Sequence, residues 1–172
     1  MQSNITPQPY TVLELTPQAL FDIYGTYCHT FEQTVLTAMR HLLRDQYTDG
    51  AYELRKYPNG SIALVLPALD QVSASFGMTE ESITLEGASI AANLIAIGQL
   101  MVVADEREDE SNKLIQYNQY YGLKDALKGQ VNFIIDTTLP DGYRSLMDDE
   151  KTTLKTAAQR HPDEEAIRNL VD

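Results

Sequence analysis

The 172-residue sequence predicts a single α+β domain in which a small antiparallel β-meander is packed with several α-helices. Three observations carry that prediction. Two extended runs flank the turn Pro58-Asn59-Gly60, which is a hairpin pattern. An apolar stretch at helical spacing, residues 88–104, follows it. Amphipathic segments of helical period lie on either side, separated by turn residues.

Taken in order, residues 1–15 read as an extended N-terminal segment. The first helix opens near Thr16, whose hydroxyl can cap it while Pro17 takes the first helical position, where a missing N–H costs nothing. Leu20, Ile23, Tyr24 and Tyr27 recur at helical spacing, with Gly25 as an interruption. Thr30 to Gln33 reads as a capping box opening a second helix, with Phe31, Val35, Met39, Leu42 and Leu43 on its apolar side and a stop near Tyr47. Residues 51–57 and 62–66 form the hairpin. Weaker strands at 71–76 and 81–85 are expected to complete the sheet in chain order.

From Thr84 a central helix follows, with Ile90, Leu94, Ile97 and Met101 on one face and Leu85, Ala91, Ile95 and Val102 nearly completing the circumference. It ends in an acidic run from Asp105 to Glu110. Leu114, Tyr117, Tyr121 and Leu123 mark a further helix to about Lys128, stopped by Gly129. Residues 131–135 fit a strand or a buried turn, and residues 139–142 a turn. Leu146, Leu154, Ala157 and Ala158 sit on an amphipathic helix that His161-Pro162 separates from a last one carrying Ile167, Leu170 and Val171.

Charge and composition exclude several functions. The chain has 13 Lys and Arg against 25 Asp and Glu, a formal charge of −12, and no base between Lys56 and Arg107. Without a basic stripe to displace counterions from phosphates, direct nucleic-acid binding is not expected, nor is binding to anionic membranes. The apolar stretch 88–104, interrupted by Ser89, Asn93, Gly98 and Gln99, falls short of the ~20 residues that span a bilayer. The single cysteine, Cys28, forms no internal bridge, and Met1 is followed by neither a basic segment nor an apolar leader, so a cytoplasmic location is expected.

Catalytic signatures are missing. Cys28 and His29 are consecutive, and neighbours on a helix point about 100° apart, so they do not form a nucleophile–base pair. His29, His41 and His161 with one thiol do not have zinc-ligand spacing, and the acidic run lacks the spacing and mid-loop glycine of an EF-hand. There is no phosphate-binding loop, dinucleotide fingerprint, G-x-S-x-G or H-E-x-x-H, so no catalytic residue, cofactor or metal is assigned. Pairs such as Glu80 with Glu86 are uninformative in so acidic a chain. DNA mimicry would require the acids to cluster on one side or subunits to join, because a domain of this length is roughly 40 Å across, where duplex DNA carries about 24 phosphates against a net charge of −12 here.

Three ordered segments resemble the ArdB/KlcA-type antirestriction family, proteins of plasmids, phages and genomic islands that protect incoming DNA from type I restriction. Asp49-Gly50-Ala51-Tyr52 and Asn59-Gly60 stand where the family has G-G-Y-W and an N-G-G-F-Y-M-A-P hairpin. Thr84-Leu85-Glu86-Gly87-Ala88-Ser89-Ile90 is similar to the family's S-A-D-A-x-G-I opening of the central helix. The ending His161-Pro162-Asp163-Glu164, with Ala166-Ile167 and Val171-Asp172, is similar to H-P-E-A…I…I-D. Ala51, Glu53, Ser61 and Ser89 depart from the pattern, Glu53 replacing a tryptophan. If that tryptophan was a partner surface, the contact is lost or altered; if it was core, Tyr52 and Tyr57 repack around the gap.

The resemblance implies a non-enzymatic antagonist of type I restriction that acts through protein contacts, with the restriction enzyme or an associated host protein as partner. Two rivals stand beside it: an acidic interaction module that has lost the activity, and a carboxylate-dependent hydrolase, which requires a pocket of converging acids with raised pKa values. The residues expected at a partner contact are Tyr52, Tyr57 and Asn59 on the hairpin, and Asp105, Glu106, Glu108, Asp109 and Glu110 in the acidic run.

Overall fold

Helix caps fall where the sequence places most of them. In the computed structural model, which describes residues 9–172, Thr16 Oγ1 accepts from the Ala19 N–H at 3.1 Å and opens α1 (Pro17–Tyr24). Residues 1–8 of the expected N-terminal segment lie outside the described residues. A 3₁₀ turn, Gly25–Tyr27, runs straight into α2 (Cys28–Leu43). The Thr30–Gln33 capping box is therefore not used: the Cys28 N–H already bonds to the Gly25 carbonyl, and the helix begins three residues earlier than expected.

The hairpin is present as β2 (Glu53–Lys56) and β3 (Ile62–Val65), turned at Gly60 with φ +85°, a conformation that favours glycine. A strand unseen in the sequence, β1 (Thr11–Leu13), lies antiparallel on β2, giving a meander in chain order. Three residues are too few to show a period. The next hairpin, β4 (Gln71–Phe76) and β5 (Thr79–Thr84), does not extend this meander as expected but forms its own two-stranded sheet.

The reason lies on the outer edge of β3. A strand there would need hydrogen-bond donors and acceptors from another backbone, yet helix side chains supply them. The N–H of Ile62 donates to Gln119 Oε1 at 3.0 Å, that of Leu64 to Asn93 Oδ1 at 2.9 Å, and that of Leu66 to Ser89 Oγ at 3.0 Å. Asn93 Nδ2 returns a bond to the Leu64 carbonyl at 2.7 Å. Ser89 and Asn93 lie on α3 (Leu85–Glu106) and Gln119 on α4 (Glu110–Leu127), so the edge is closed by two helices.

α3 starts at Thr84, whose Oγ1 accepts from the Gly87 N–H at 2.9 Å. It runs 22 residues, longer than its apolar stretch, and by length and composition it could cross a membrane. The length criterion therefore does not exclude a span, but burial accounts for the apolarity: 72% of its most apolar window is inside the fold. α2 packs Phe31, Val35, Met39 and Leu42 into the same core, α4 adds Leu123 and Leu127, and α6 (Glu164–Val171) adds Ile167 and Leu170.

The ambiguous residues 131–135 resolve into a short strand, β6 (Ile134–Ile135), paired with β7 (Tyr143–Arg144), and the Ile135 N–H ties it to the Asn59 carbonyl at 2.8 Å. α5 (Asp148–Ala157) is amphipathic as expected, but none of its residues is fully buried.

Replacing Asn93 by Leu keeps the bulk but leaves the Leu64 N–H and C=O buried and unpaired. The variant is expected to lose about 2–4 kcal/mol in urea denaturation at neutral pH, against less than about 1 kcal/mol for the exposed Gln99→Leu.

Candidate functional site

Side chains alternate across a strand, so Glu53 and Arg55 share one face of β2, and Tyr57 continues it past the strand end. That face meets the first turn of α3. Arg55, only 2% exposed, donates from Nε to Glu53 Oε1 at 2.6 Å and grips Glu86 through both terminal nitrogens at 3.1 and 3.2 Å. The ring of Tyr10 covers the guanidinium at 3.9 Å. Glu86 Oε1 also meets His161 Nε2 at 2.9 Å, and His161 Nδ1 accepts from the Asp163 N–H at 3.0 Å. Asp163 in turn accepts from the hydroxyl and the N–H of Thr84, the cap of α3.

The three segments that carry the family resemblance thus converge on one network. Arg55 comes from the first, Thr84, Glu86 and Gly87 from the second, and His161 and Asp163 from the third. Gly87 is required there, because a Cβ at this position would run into the Asp163 carboxylate and Ile83. The network borders a cavity of about 120 Å3 that is also lined by Tyr57, Arg160 and Pro162.

Its protonation states suit holding rather than proton transfer. The His161 hydrogen bond, foremost, and the Arg55 guanidinium hold the Glu86 carboxyl down at about 2 against desolvation. Burial works against the Arg55 charge, but Glu86 and Glu53 outweigh it and raise its pKa. With Nδ1 accepting a backbone N–H, neutral His161 carries its proton on Nε2 and donates it to Glu86, so neither ring nitrogen is free. Burial pushes the Tyr57 hydroxyl up to about 12, and no group among the described residues bonds it. The hydrolase reading needs a carboxyl with a raised pKa at a pocket, and the carboxylate here is shifted the opposite way.

Several expected contact residues are internal. Asn59 is 1% exposed: its Oδ1 accepts from the N–H and hydroxyl of Ser61 at 3.0 and 2.7 Å, and its Nδ2 donates to the Gly122 carbonyl at 2.6 Å. It pins the hairpin turn to α4 and presents no surface, which corrects its reading as a contact. Tyr57 is buried likewise, and Tyr52 is half-buried with its hydroxyl enclosed near Tyr47, burial raising its pKa. Buried hydrogen bonds place Asn59, and packing against the hydrophobic core places the two tyrosines.

The acidic run spans the last two residues of α3, the connection that follows and the first residue of α4. Asp105 pairs with Lys113 at 2.6 Å, Glu106, Glu108 and Glu110 are exposed, and Asp109 caps α4 through the Asn112 N–H at 3.2 Å. The Asn112 hydrogen bonds hold the Asp109 carboxyl below the usual range. Among the described residues no three His, Cys, Asp or Glu side chains gather as a metal site requires. Cys28 is half-buried against the core and His29 is exposed. Sequence reasoning missed Arg55, Glu86, His161 and Asp163 as a unit, although the resemblance had marked the segments that hold them.

A depressed folded-state pKa contributes stability that is complete above the unfolded value near 4.5 and is lost as pH falls toward about 2. Glu86→Gln is expected to cost about 2–3 kcal/mol at pH 7 in denaturant titrations, since it leaves Arg55 half-paired. The gap between Glu86→Gln and the parent should narrow through that acid window. A gap that is constant down to pH 2 would show that Glu86 is not held ionised.

No protein-family model matches this sequence, and no curated protein matches it. A solved structure does: that of the KlcA and ArdB proteins, described as showing a novel fold and antirestriction activity against type I DNA restriction systems in vivo but not in vitro. The match has a TM-score of 0.65 at 18% sequence identity and covers 99% of this chain and 100% of that one. At that identity the likeness establishes architecture, and it extends from end to end of both chains: this protein has the KlcA and ArdB fold.

Proposed function

We propose that this protein relieves type I restriction of incoming mobile DNA, acting in the cytoplasm through contacts with protein and without catalysing a reaction. The observation that carries the reading is the end-to-end likeness to KlcA and ArdB, joined to the meeting in space of the three segments that resemble the family. The charge of −12 supports a protein rather than a nucleic acid as the object of contact. The self-satisfied network supports a scaffold role over a catalytic one.

Three of the four departures from the family pattern are absorbed by the fold. Glu53 pairs with Arg55, Ser61 donates its hydroxyl to Asn59, and Ser89 accepts the Leu66 N–H. These three substitutions are therefore compatible with the architecture.

Because the solved relative is described as active in vivo but not in vitro, the test belongs in cells. Expression in a type I restricting host should raise the plating efficiency of unmodified phage at least about tenfold over vector, and leave plating on a restriction-deficient host unchanged. Unrelieved restriction in the presence of folded, soluble protein would overturn the proposal.

A further inference from the structure

Four aromatic side chains, three of them exposed, surround a cavity of about 370 Å3 where α4 faces β6, β7 and their approaches. Tyr117 and Tyr121, one helical turn apart, have ring centroids 4.6 Å apart, and Phe133 and Tyr143 face them as a second pair at 5.6 Å. Tyr117, Tyr121 and Tyr143 are 52%, 44% and 45% exposed, an unusual amount of aromatic surface for a fold with a complete core elsewhere. The remaining lining is Asn118 and Asn132, and no charged residue enters it.

The two amides are oriented. Asn118 Nδ2 donates to the Asp141 carbonyl at 2.9 Å and Asn132 Nδ2 to Asp125 Oδ2 at 3.0 Å. Both partners are pure acceptors, so each bond uses an N–H of the amide, and among the described residues no donor takes either amide oxygen. The cavity therefore offers π-faces and carbonyl acceptors, with the carboxylate of Asp125 anchored nearby by Asn132. Neighbouring cations are already committed: Arg144 to Glu150 at 2.6 and 2.8 Å, and Lys124 to Asp172 at 2.7 Å. A group that is all donors, cationic and flat enough to lie on tyrosine fits these demands, and guanidinium is that group.

Tyr121 also borders an adjoining groove of about 410 Å3 with Phe76, Ile95, Gly98, Gln99 and Val102, again without a charged residue. The groove gives room for the flanking apolar residues of a polypeptide, which a free small molecule would not need. We propose that the aromatic cavity receives an arginine side chain of a protein partner whose adjacent apolar residues lie in the groove. This deepens the protein-contact reading and rests on it for the kind of partner.

The test titrates the full chain with Nα-acetyl-arginine methylamide while following tyrosine ring resonances by NMR. Saturable shifts at Tyr117, Tyr121 and Tyr143 are expected, with a Kd on the order of millimolar for a single side chain. The uncharged citrulline counterpart should bind at least about tenfold more weakly. Tyr121→Ala should abolish the shifts with thermal unfolding unchanged, and Tyr121→Phe should retain them. Equal binding of citrulline, stronger shifts from thymidine monophosphate, or no saturable shift would each overturn the proposal. The titration reads no restriction, so its failure and that of the plating assay are separable.

Discussion

The N–H groups of β3 that point away from β2 lie in the interior, and a buried donor left unpaired costs about 1–3 kcal/mol. That requirement organises the whole molecule. Gln119, Asn93 and Ser89 meet it, and meeting it sets the rotation of α3 about its own axis and the approach of α4. With the edge closed, β4 and β5 have no strand to join and pair with each other instead. The polar positions that interrupt the apolar face of α3 are thus the ones that hold the helix to the sheet.

The second junction is ionic. Removing Arg55, Glu86 and His161 from water is costly, and the cost is tolerable because nearly every charged atom has a short partner: Glu53 and Glu86 for the guanidinium, Arg55 and His161 for the carboxylate. A histidine beside a carboxylate in a small cavity resembles an acid–base site by inventory alone. Geometry separates the two cases, since both histidine nitrogens and both Glu86 oxygens are occupied. The network joins the hairpin, the start of α3 and the C-terminal segment, three regions far apart in the chain. The three segments whose sequence resembles the ArdB/KlcA pattern are here the segments that lock the architecture.

The surface divides differently from the interior. Hairpin residues first favoured as contacts are internal, and the acidic run serves largely to end one helix and cap the next. Apart from Phe21 on α1, the strongly exposed aromatic side chains cluster on α4 and β7, next to a groove on α3. Both hollows lack charged lining in a protein of charge −12, so they offer a neutral floor within a negative field. That combination favours a basic partner with an apolar flank.

Local chemistry in the sequence determined the helix starts at Thr16 and Thr84, the hairpin about Gly60, the apolar wrap of α3, the stop at Gly129 and the absence of a familiar catalytic motif. Each depends on residues within a turn or two of one another, so period and capping rules suffice. Tertiary structure alone decided that β4 and β5 leave the meander, that β1 joins it, that Asn59 turns inward, and that Arg55 and His161 meet on Glu86. These outcomes depend on which partner satisfies a buried polar group, and that partner stands from 31 to 75 residues away, beyond the reach of any local pattern.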